Sequence, residues 1–395
     1  MSSVSQKIGG SLSKQSFIRK MFEEGNRLKA LHGADKVFDF SLGNPNLEPP
    51  EELVSALRDL VNNPMPGMHG YMPNAGYPQT RAAVAAYLTE EQGVELQGDH
   101  VVMTVGAGGA LNVVFKTLLD PGDEVLTPNP GFVEYNFYVD NHSGVCVHVP
   151  TTSTFDLDLD AIADGINAKT RVVLINSPNN PTGAVYSAET LAKLGDILRA
   201  KSREFGRTIY LLSDEPYRKI VYGAVEVPSI LQAYENTILV TSYSKDLSLA
   251  GERIGYVAVN PAVPEVDLVM AGLILSNRIL GFVNAPSLMQ LAIARCQGMR
   301  VDISLYERNR DLLYTTLIEA GFTVPRPDGA FYLFPKAPIE DDVAFVGELA
   351  EKLVLVVPGS GFGGPGYFRI AYCQSPEVVD GSLPVFREIG KKYFG

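Results

Sequence analysis

The residues best suited to chemistry surround Lys245, which follows a short apolar run at residues 238–240 of the kind found in buried strands. Ser242 and Ser244 precede this lysine, and Arg253 follows it closely. In doubly wound α/β folds, ligands bind at the carboxyl ends of strands. Partial burial near other cations would lower the pKa of the lysine and make its amine a nucleophile for a Schiff base. Two hydroxyls and a guanidinium nearby would suit a phosphate group.

A lysine beside a phosphate site is the combination that pyridoxal phosphate (PLP) needs. The alternative is a surface lysine that caps a strand end. For the isolated Ser-Tyr-Ser-Lys string at 242–245, this alternative would be favoured. The other predicted strand ends decide between the two interpretations.

A glycine-rich turn follows the predicted strand at 100–105 and contains Ala107, Gly108 and Gly109. Free backbone N–H groups at the start of the helix after such a turn can hold a phosphate. The turn resembles half of a dinucleotide-binding fingerprint, but Leu111 stands where G-x-G-x-x-G requires its third glycine. Taken alone, the turn is equally compatible with a plain strand–helix connection.

Three further side chains that suit a planar cofactor follow predicted strands. Phe132 could stack on a ring, although a core aromatic is the default interpretation. Asn180 lies in a turn with two X-Pro bonds, one of which could be cis. Asp214 could pair with a protonated ring nitrogen, and helix capping is the alternative. The strands concerned are predicted at 123–127, 171–176 and 208–213.

These strand ends lie in a regular α/β pattern, which predicts a mostly parallel sheet covered by helices on both faces. All the candidate residues therefore fall at one edge of one sheet, and a single planar anionic cofactor explains them better than coincidence. The predicted helices are 79–92, 108–119, 131–141, 158–167 and 187–205, and further strands are predicted at 144–149 and 237–242.

A smaller α/β part is predicted after a long helix at 299–320. Residues 62–78 are predicted to form a long loop, and loops of that length inside a compact domain are usually functional. The strands of the smaller part are predicted at 323–324, 330–334, 354–357 and 368–371.

Composition argues against several classes of protein. The formal net charge is −12 and no Lys/Arg-rich run occurs, which disfavours nucleic acid or an anionic membrane as the main partner. The three cysteines are far apart and lack CxxC spacing, which argues against a zinc site or a disulfide framework and favours a reducing cytoplasm. The five histidines show no metal-binding spacing, and no apolar run is long enough to span a bilayer.

Four motifs now stand in a recognisable order: Asn176–Gly183, Asp214-Glu-Pro-Tyr217, Ser242-Tyr-Ser-Lys245 and Arg253-Ile-Gly-Tyr256. The sequence resembles the PLP-dependent class I/II aminotransferases of fold type I, of the aspartate aminotransferase type. The match runs from Ser41 to Tyr372. As a set the motifs are specific, although no single one is. The resemblance implies PLP as cofactor and an amino acid and a 2-oxo acid as substrates.

The resemblance implies a role for each matched position. Lys245 would hold the cofactor covalently and then move the α-proton of the substrate. Asp214 would keep the pyridine nitrogen protonated, while Tyr217 and Asn180 would hydrogen-bond the ring 3-hydroxyl. Phe132 would stack on the ring. The phosphate would be held by Ala107, Gly108, Gly109, Ser242, Ser244 and Arg253, the first three through backbone N–H groups only.

On the substrate side, the resemblance implies that Arg369 binds the α-carboxylate, helped by Asn180 and the backbone N–H of Gly43. Tyr71 matches a tyrosine that reaches the phosphate of a neighbouring subunit, which implies a homodimer with shared sites. The implied division is an N-terminal arm with part of the small domain at 1–48, a large PLP-binding domain at 49–298 and a small C-terminal domain at 299–395.

Other functions remain open at this point. A PLP lyase, such as a C–S β-lyase, uses the same residues, and no motif separates it from an aminotransferase. A non-catalytic PLP-binding regulator would need a DNA-binding segment ahead of the matched region. A dinucleotide-binding protein is disfavoured by Leu111 and leaves Lys245 unexplained. The amino donor is open as well, with Arg278 a candidate to bind a distal carboxylate from the partner subunit.

Overall fold

The computed structural model describes residues 3–13 and 17–395, without the side chains of residues 13, 17–20 and 22. The strands are β1 (Phe38–Asp39), β2 (Val101–Thr104), β3 (Glu124–Asn129), β4 (Val145–Pro150), β5 (Thr170–Asn176), β6 (Tyr210–Asp214), β7 (Thr237–Ser242), β8 (Gly255–Val259), β9 (Tyr332–Leu333), β10 (Val354–Leu355), β11 (Val357–Pro358) and β12 (Phe368–Ala371).

Helices separate most of these strands. They are α1 (Gln6–Ser13), α2 (Phe17–His32), α3 (Glu51–Asn62), α4 (Pro78–Gln92), α5 (Gly106–Leu118), α6 (Glu134–Asp140), α7 (Leu159–Gly165), α8 (Ala188–Phe205), α9 (Ile230–Ala233), α10 (Val266–Ile279), α11 (Ser287–Ile293), α12 (Ser304–Glu319), α13 (Asp342–Glu351) and α14 (Pro376–Phe394). Short 3₁₀ helices lie at Ala34–Lys36, Gly98–His100 and Gly359–Phe362.

A seven-stranded sheet forms the centre of the molecule, in the order β2-β8-β7-β6-β5-β3-β4. Every neighbouring pair is parallel except the two that involve β8, which runs antiparallel to both β2 and β7. The prediction of an α/β fold with a mostly parallel sheet is therefore confirmed. Parallel strands place their carboxyl ends at one edge, so β5, β6 and β7 deliver the residues that follow them to the same place.

Both faces of this sheet are buried, which explains the continuous apolar runs of its strands. Side chains alternate between the faces. Leu239 packs into a core on one face, whereas Ile238 and Val240 pack into the core on the other. The ends of helix α8 are set by its capping residues. The Ser187 hydroxyl accepts a hydrogen bond from the N–H of Thr190, and Gly206 ends the helix at φ 62°.

A second, smaller group of elements follows the large sheet. Strands β11, β12 and β9 form an antiparallel sheet, and β1 pairs in parallel with β10, which ties residues near the start of the chain to the C-terminal part. Phe40, Tyr306, Phe331 and Phe368 belong to the core of this group. Among the described residues, no helix could cross a membrane.

Several boundaries in this smaller part differ from the prediction. Helix α12 begins at Ser304 and not at residue 299, because the N–H of Val301 bonds to the carbonyl of Asp246 and the Asp302 carboxylate accepts from Ser304 N–H. The predicted strand at 323–324 is wrong: Thr323 accepts one backbone bond from Lys336 and forms no strand. The predicted strand at 330–334 is reduced to β9, and that at 354–357 is divided between β10 and β11.

Candidate active site

A cavity of about 300 Å³ opens at the carboxyl edge of β5, β6 and β7. Its lining contains most of the residues singled out in the sequence. These are Gly43, Ala107, Gly108, Phe132, Asn180, Asp214, Tyr217, Ser242, Ser244, Lys245, Arg253 and Arg369. Residues far apart in the chain therefore meet in one site.

Lys245 lies in the middle of this cavity. Its Nζ donates a 2.7 Å hydrogen bond to the carbonyl of Gly43 and lies 5.5 Å from the ring centroid of Phe331. Burial lowers the pKa of Lys245 to about 8, and the positive charges of Arg369 and Arg253 act in the same direction. Near neutral pH a much larger fraction of this amine is therefore unprotonated than in a solvent-exposed lysine, and the neutral amine is the form that acts as a nucleophile or a proton acceptor.

Asp214 is 5% exposed and has one free carboxylate oxygen. The hydroxyl of Tyr135 donates to Oδ2 at 2.7 Å, whereas Oδ1 has no hydrogen-bond partner among the described residues. Burial raises the pKa of Asp214 to about 7, although the hydrogen bond from Tyr135 opposes this shift. A buried oxygen without a partner is costly, so Oδ1 fits a donor supplied by a ligand, such as a protonated ring nitrogen.

The start of α5 and Arg253 form a second corner of the cavity. The first N–H groups of a helix lack intrahelical partners and attract anions. Gly106 has φ 71°, and a Cβ at this position would lie 2.7 Å from the Arg253 guanidinium. Arg253 itself has φ 52° and donates to the carbonyl of Ala250 at 2.9 Å. With Ser242 and Ser244, this corner fits a phosphate group.

Gly109 is set apart from this corner. It lies in the first turns of α5 but is buried and does not line the cavity. A Cβ at Gly109 would meet Val105 and Phe282. Its role at the phosphate stays a prediction.

Phe132, Asn180 and Tyr217 surround the space between these corners. Phe132 packs edge-on against Tyr135, with ring centroids 5.4 Å apart. The Asn180 backbone N–H donates to Asn176 Oδ1 at 2.7 Å. In the turn that holds Asn180, both X-Pro bonds, at Pro178 and Pro181, are cis, where one was predicted.

Arg369 is 2% exposed and lies at the other end of the cavity. Its Nη1 donates to Asn180 Oδ1 at 3.0 Å and its Nη2 to the carbonyl of Ser41 at 2.7 Å. Its Nε has no partner, and no carboxylate pairs with Arg369, within the described part of the chain. Burial lowers the pKa of Arg369. An unpaired buried guanidinium is suited to a planar carboxylate from a ligand.

Tyr135 and Tyr332 are among the lining residues that the sequence analysis did not single out. Tyr135 could have been found, because it lies three residues after Phe132 and such spacing places side chains on one face of a helical turn. Tyr332, which lines the cavity, gave no comparable signal because it comes from β9, a strand of the other sheet.

Tyr71 and Arg278 lie outside the cavity. Tyr71 is 94% exposed, and Arg278 is exposed in the last turn of α10. Hydrogen bonds join their segments: Asn277 Nδ2 donates to the carbonyl of Asn74, and Asn74 Nδ2 donates to the carbonyl of Val283, each at 3.0 Å. The two residues therefore belong to neighbouring segments of one surface.

Comparisons with known proteins agree with this arrangement. The model for "Aminotransferase class I and II" matches residues 35–381. A probable aspartate aminotransferase of Methanocaldococcus jannaschii is 32% identical, covering 89% of this chain and 92% of that protein. Aromatic-amino-acid aminotransferase 2 of Thermococcus litoralis is 30% identical, covering 95% of each. The crystal structure of an amino transferase from Eubacterium rectale is 43% identical and superposes with a TM-score of 0.96 over 100% of both chains.

These matches extend over nearly the whole chain, and the cavity contains groups that fit each part of PLP. The protein belongs to the class I and II aminotransferase family, whose enzymes depend on PLP.

Proposed function

We propose that this aminotransferase moves an amino group between an L-amino acid and a 2-oxo acid by a ping-pong mechanism, with 2-oxoglutarate as the acceptor. The observation that carries the proposal is the cavity itself. It brings the Lys245 amine, the free Oδ1 of Asp214, the anion-binding corner at Arg253 and the unpaired guanidinium of Arg369 together. One cofactor and one amino acid substrate would satisfy all four.

Five residues would hold the ring of the cofactor. Asp214 would bind the pyridine nitrogen, Lys245 would attach the cofactor through its amine as a Schiff base, and Phe132 would cover one ring face. Asn180 and Tyr217 would hold the 3-oxygen, since Asn180 Oδ1 binds Arg369 and its amide donor is left for the ring. When bound, PLP supplies the electron sink that makes the α-proton of the substrate removable.

Lys245 is also the residue proposed to move that proton. Its pKa of about 8 suits this task, because the amine can accept a proton and return it near neutral pH. The carbonyl of Gly43 holds Nζ at 2.7 Å, beside the loop whose backbone N–H is proposed to bind the substrate carboxylate. The Lys245 amine and the substrate carboxylate would thus both contact the loop that contains Gly43.

Arg369 would fix the α-carboxylate of every substrate. Its two Nη atoms are held by Asn180 and Ser41, which orients the guanidinium before the substrate arrives. Pre-orientation of this kind limits the entropy lost on binding. Selectivity for the side chain then depends on other groups, and Arg278 of a partner subunit is proposed as the group that binds a distal carboxylate.

We also propose a homodimer in which Tyr71 reaches the phosphate of the neighbouring site. An aromatic side chain that is 94% exposed is suited to a partner. Leu268, Leu275 and Ile279 are exposed along one face of α10. Asn277 of this helix donates to the carbonyl of Asn74, in the loop that contains Tyr71. Such an apolar stripe is typical of a subunit contact.

Complementation between inactive chains tests this shared site. A Tyr71→Ala chain and a Lys245→Ala chain should each be impaired alone. In a mixed dimer, the site with the intact Lys245 would receive Tyr71 from its partner, so activity should rise toward that of one wild-type site. A verified mixed dimer without any recovery would show that Tyr71 serves its own subunit.

The division into 1–48, 49–298 and 299–395 is kept as a proposal. The separate cores support it, since Phe40, Tyr306 and Phe368 belong to one core while Leu239 and Val240 lie in the cores of the large sheet. A cytoplasmic location is proposed from the three cysteines, which are free.

A panel of amino donors with 2-oxoglutarate tests the activity. Glutamate and the matching keto acid should form, and the relatives make aspartate and aromatic amino acids the first donors to compare. Formation of pyruvate and ammonia without any keto acid present would instead identify a lyase.

A further inference from the structure

Tyr332 lies between a residue of the cofactor side and a residue of the substrate side. Its hydroxyl is 2.8 Å from the hydroxyl of Tyr217, and its ring centroid is 4.7 Å from the Cζ of Arg369. It is 2% exposed and lines the cavity. Tyr217 follows the large sheet, whereas Tyr332 and Arg369 belong to the small sheet, so Tyr332 joins the two parts inside the site.

We propose that Tyr332 is a positioning residue with two separable actions. Its hydroxyl strengthens the hydrogen bond that Tyr217 gives to the ring 3-oxygen, and its ring holds the guanidinium of Arg369 in the plane that receives the substrate carboxylate. The inference rests on the proposed function and adds a residue to it.

The first action follows from the donors that the two hydroxyls have. Each tyrosine hydroxyl has one proton to donate and can also accept. If Tyr217 donates to the ring 3-oxygen, the 2.8 Å contact is satisfied by Tyr332 as donor. Burial raises the pKa of Tyr217, and it raises that of Tyr332 to about 12, so both keep their protons at neutral pH. Hydrogen bonds in such a chain polarise one another, which makes Tyr217 a better donor.

The second action follows from the surroundings of Arg369. Its guanidinium lies against two aromatic rings, with the centroid of Phe362 at 4.6 Å and that of Tyr332 at 4.7 Å from Cζ. No carboxylate in the described part of the chain balances this charge. Aromatic faces attract a desolvated cation and fix the plane of a guanidinium. The two rings therefore stabilise Arg369 until a substrate supplies the carboxylate.

The loop that contains Gly43 leaves room for the Tyr332 hydroxyl. A Cβ at Gly43 would overlap the Tyr332 hydroxyl, so glycine leaves the space that the hydroxyl occupies. The carbonyl of the same Gly43 accepts from Lys245. Tyr332 is thus held between Gly43, Tyr217 and Arg369, in a pocket that fits a tyrosine in this orientation.

Two substitutions separate the actions. Tyr332→Phe removes the hydroxyl and keeps the ring, whereas Tyr332→Leu removes both. Tyr372→Phe is the matched control, because Tyr372 is also fully buried and hydrogen-bonded, to the Ala330 carbonyl, but does not line the cavity. Phe362→Leu removes the other ring and repeats the second test if Tyr332→Leu does not fold.

The readouts are the absorbance titration of bound PLP and inhibition by two unreactive carboxylates, maleate and 3-phenylpropanoate. The Tyr332→Phe substitution should shift the pH midpoint of the bound-PLP absorbance toward the midpoint found in Tyr217→Phe. It should leave both inhibition constants unchanged. Tyr332→Leu, and Phe362→Leu likewise, should weaken inhibition by roughly 3- to 30-fold. Tyr372→Phe should match the wild type in both measurements.

If the pH midpoint of the bound-PLP absorbance shifts in Tyr217→Phe but not in Tyr332→Phe, the proposed action of the hydroxyl is refuted. Wild-type inhibition constants in folded Tyr332→Leu or Phe362→Leu would refute the action of the ring. Both results differ from failure of the proposed function, in which the wild type itself would bind no PLP and transfer no amino group.

Discussion

The two ends of the cavity are built in different ways. One end is proposed to hold the cofactor and is called the cofactor end; it takes Asp214 and Lys245 from the ends of β6 and β7, adjacent strands of one sheet. The other end is proposed to bind the substrate and is called the substrate end; it takes Arg369 from β12, Tyr332 from β9 and Gly43 from the loop after β1. One end is fixed by the regular topology of the large sheet, and the other depends on how the smaller part packs against it.

Both ends nevertheless contain a buried ionisable side chain that is held by neutral contacts. At the cofactor end, the buried carboxylate of Asp214 receives a neutral hydrogen bond from Tyr135 and leaves Oδ1 free. At the substrate end, the buried Arg369 lies against two aromatic rings, with Nε free and no paired carboxylate in the described residues. Each group makes its hydrogen-bond or ring contacts with neutral partners, so each is left able to pair with an opposite charge on a ligand.

The largest effect is expected at the cofactor end, from Lys245→Ala. The variant loses the amine proposed both to attach the cofactor and to move the α-proton, so turnover should be abolished for every donor. Borohydride reduction should place a phosphopyridoxyl mass on the wild-type peptide that contains Lys245 and on no peptide of the variant. A label on a different lysine of the wild type would contradict the assignment.

Asp214→Asn should have the next largest effect and should also be independent of the donor. The substitution keeps the shape of the side chain but removes the carboxylate proposed to favour a protonated ring nitrogen, so PLP should bind while removal of the α-proton slows by several orders of magnitude. Exchange of the α-proton with solvent, followed by NMR, measures this step directly. Exchange near the wild-type rate would rule out this role for Asp214.

The contrast between the two ends also explains how much the sequence could predict. Lys245, Asp214 and Asn180 each follow a strand of a parallel sheet, and the rule that such ends meet at one edge was enough to place them together. Arg369 was found only through the family resemblance, since β12 belongs to a different sheet. Tyr332 was missed because no local pattern predicts which face of the small sheet meets the large one.

The boundaries that were wrong have the same physical origin. The predicted strand at 323–324 has the right residue types, but sheet formation depends on a partner strand, and Thr323 makes only one backbone bond to Lys336. The start of α12 was misplaced because Val301 is held by the carbonyl of Asp246, a contact far away in sequence. Long-range contacts of this kind cannot be inferred from local periodicity.

At the substrate end, a substitution should depend on the donor, and Arg278→Ala tests this. Truncating one partner of a desolvated Arg–carboxylate pair costs about 2–5 kcal/mol. The kcat/KM for aspartate or glutamate should therefore fall by roughly one and a half to three and a half decades, whereas alanine or an aromatic donor should be little affected. Arg369→Ala is the matched control and should slow every donor. Equal losses for acidic and neutral donors in Arg278→Ala would show that Arg278 does not select the substrate.

The smallest predicted effect is on the pH dependence of cofactor capture, through which the charge of Arg369 at one end acts on Lys245 at the other. Burial and the charges of Arg369 and Arg253 place the pKa of Lys245 at about 8 in the absence of cofactor, below its ordinary value of 10.5. Below that pKa the amine is protonated and cannot attack PLP, so the rate of cofactor capture by the cofactor-free protein should rise about tenfold per pH unit and level off above it. Arg369→Met removes one of the two cations, so its midpoint should lie at higher pH than that of the wild type. Stopped-flow absorbance between pH 6 and 10 measures both profiles. A wild-type midpoint near 10.5 would contradict the burial of Lys245, and equal midpoints in the two proteins would show that the charge of Arg369 does not act on the Lys245 amine.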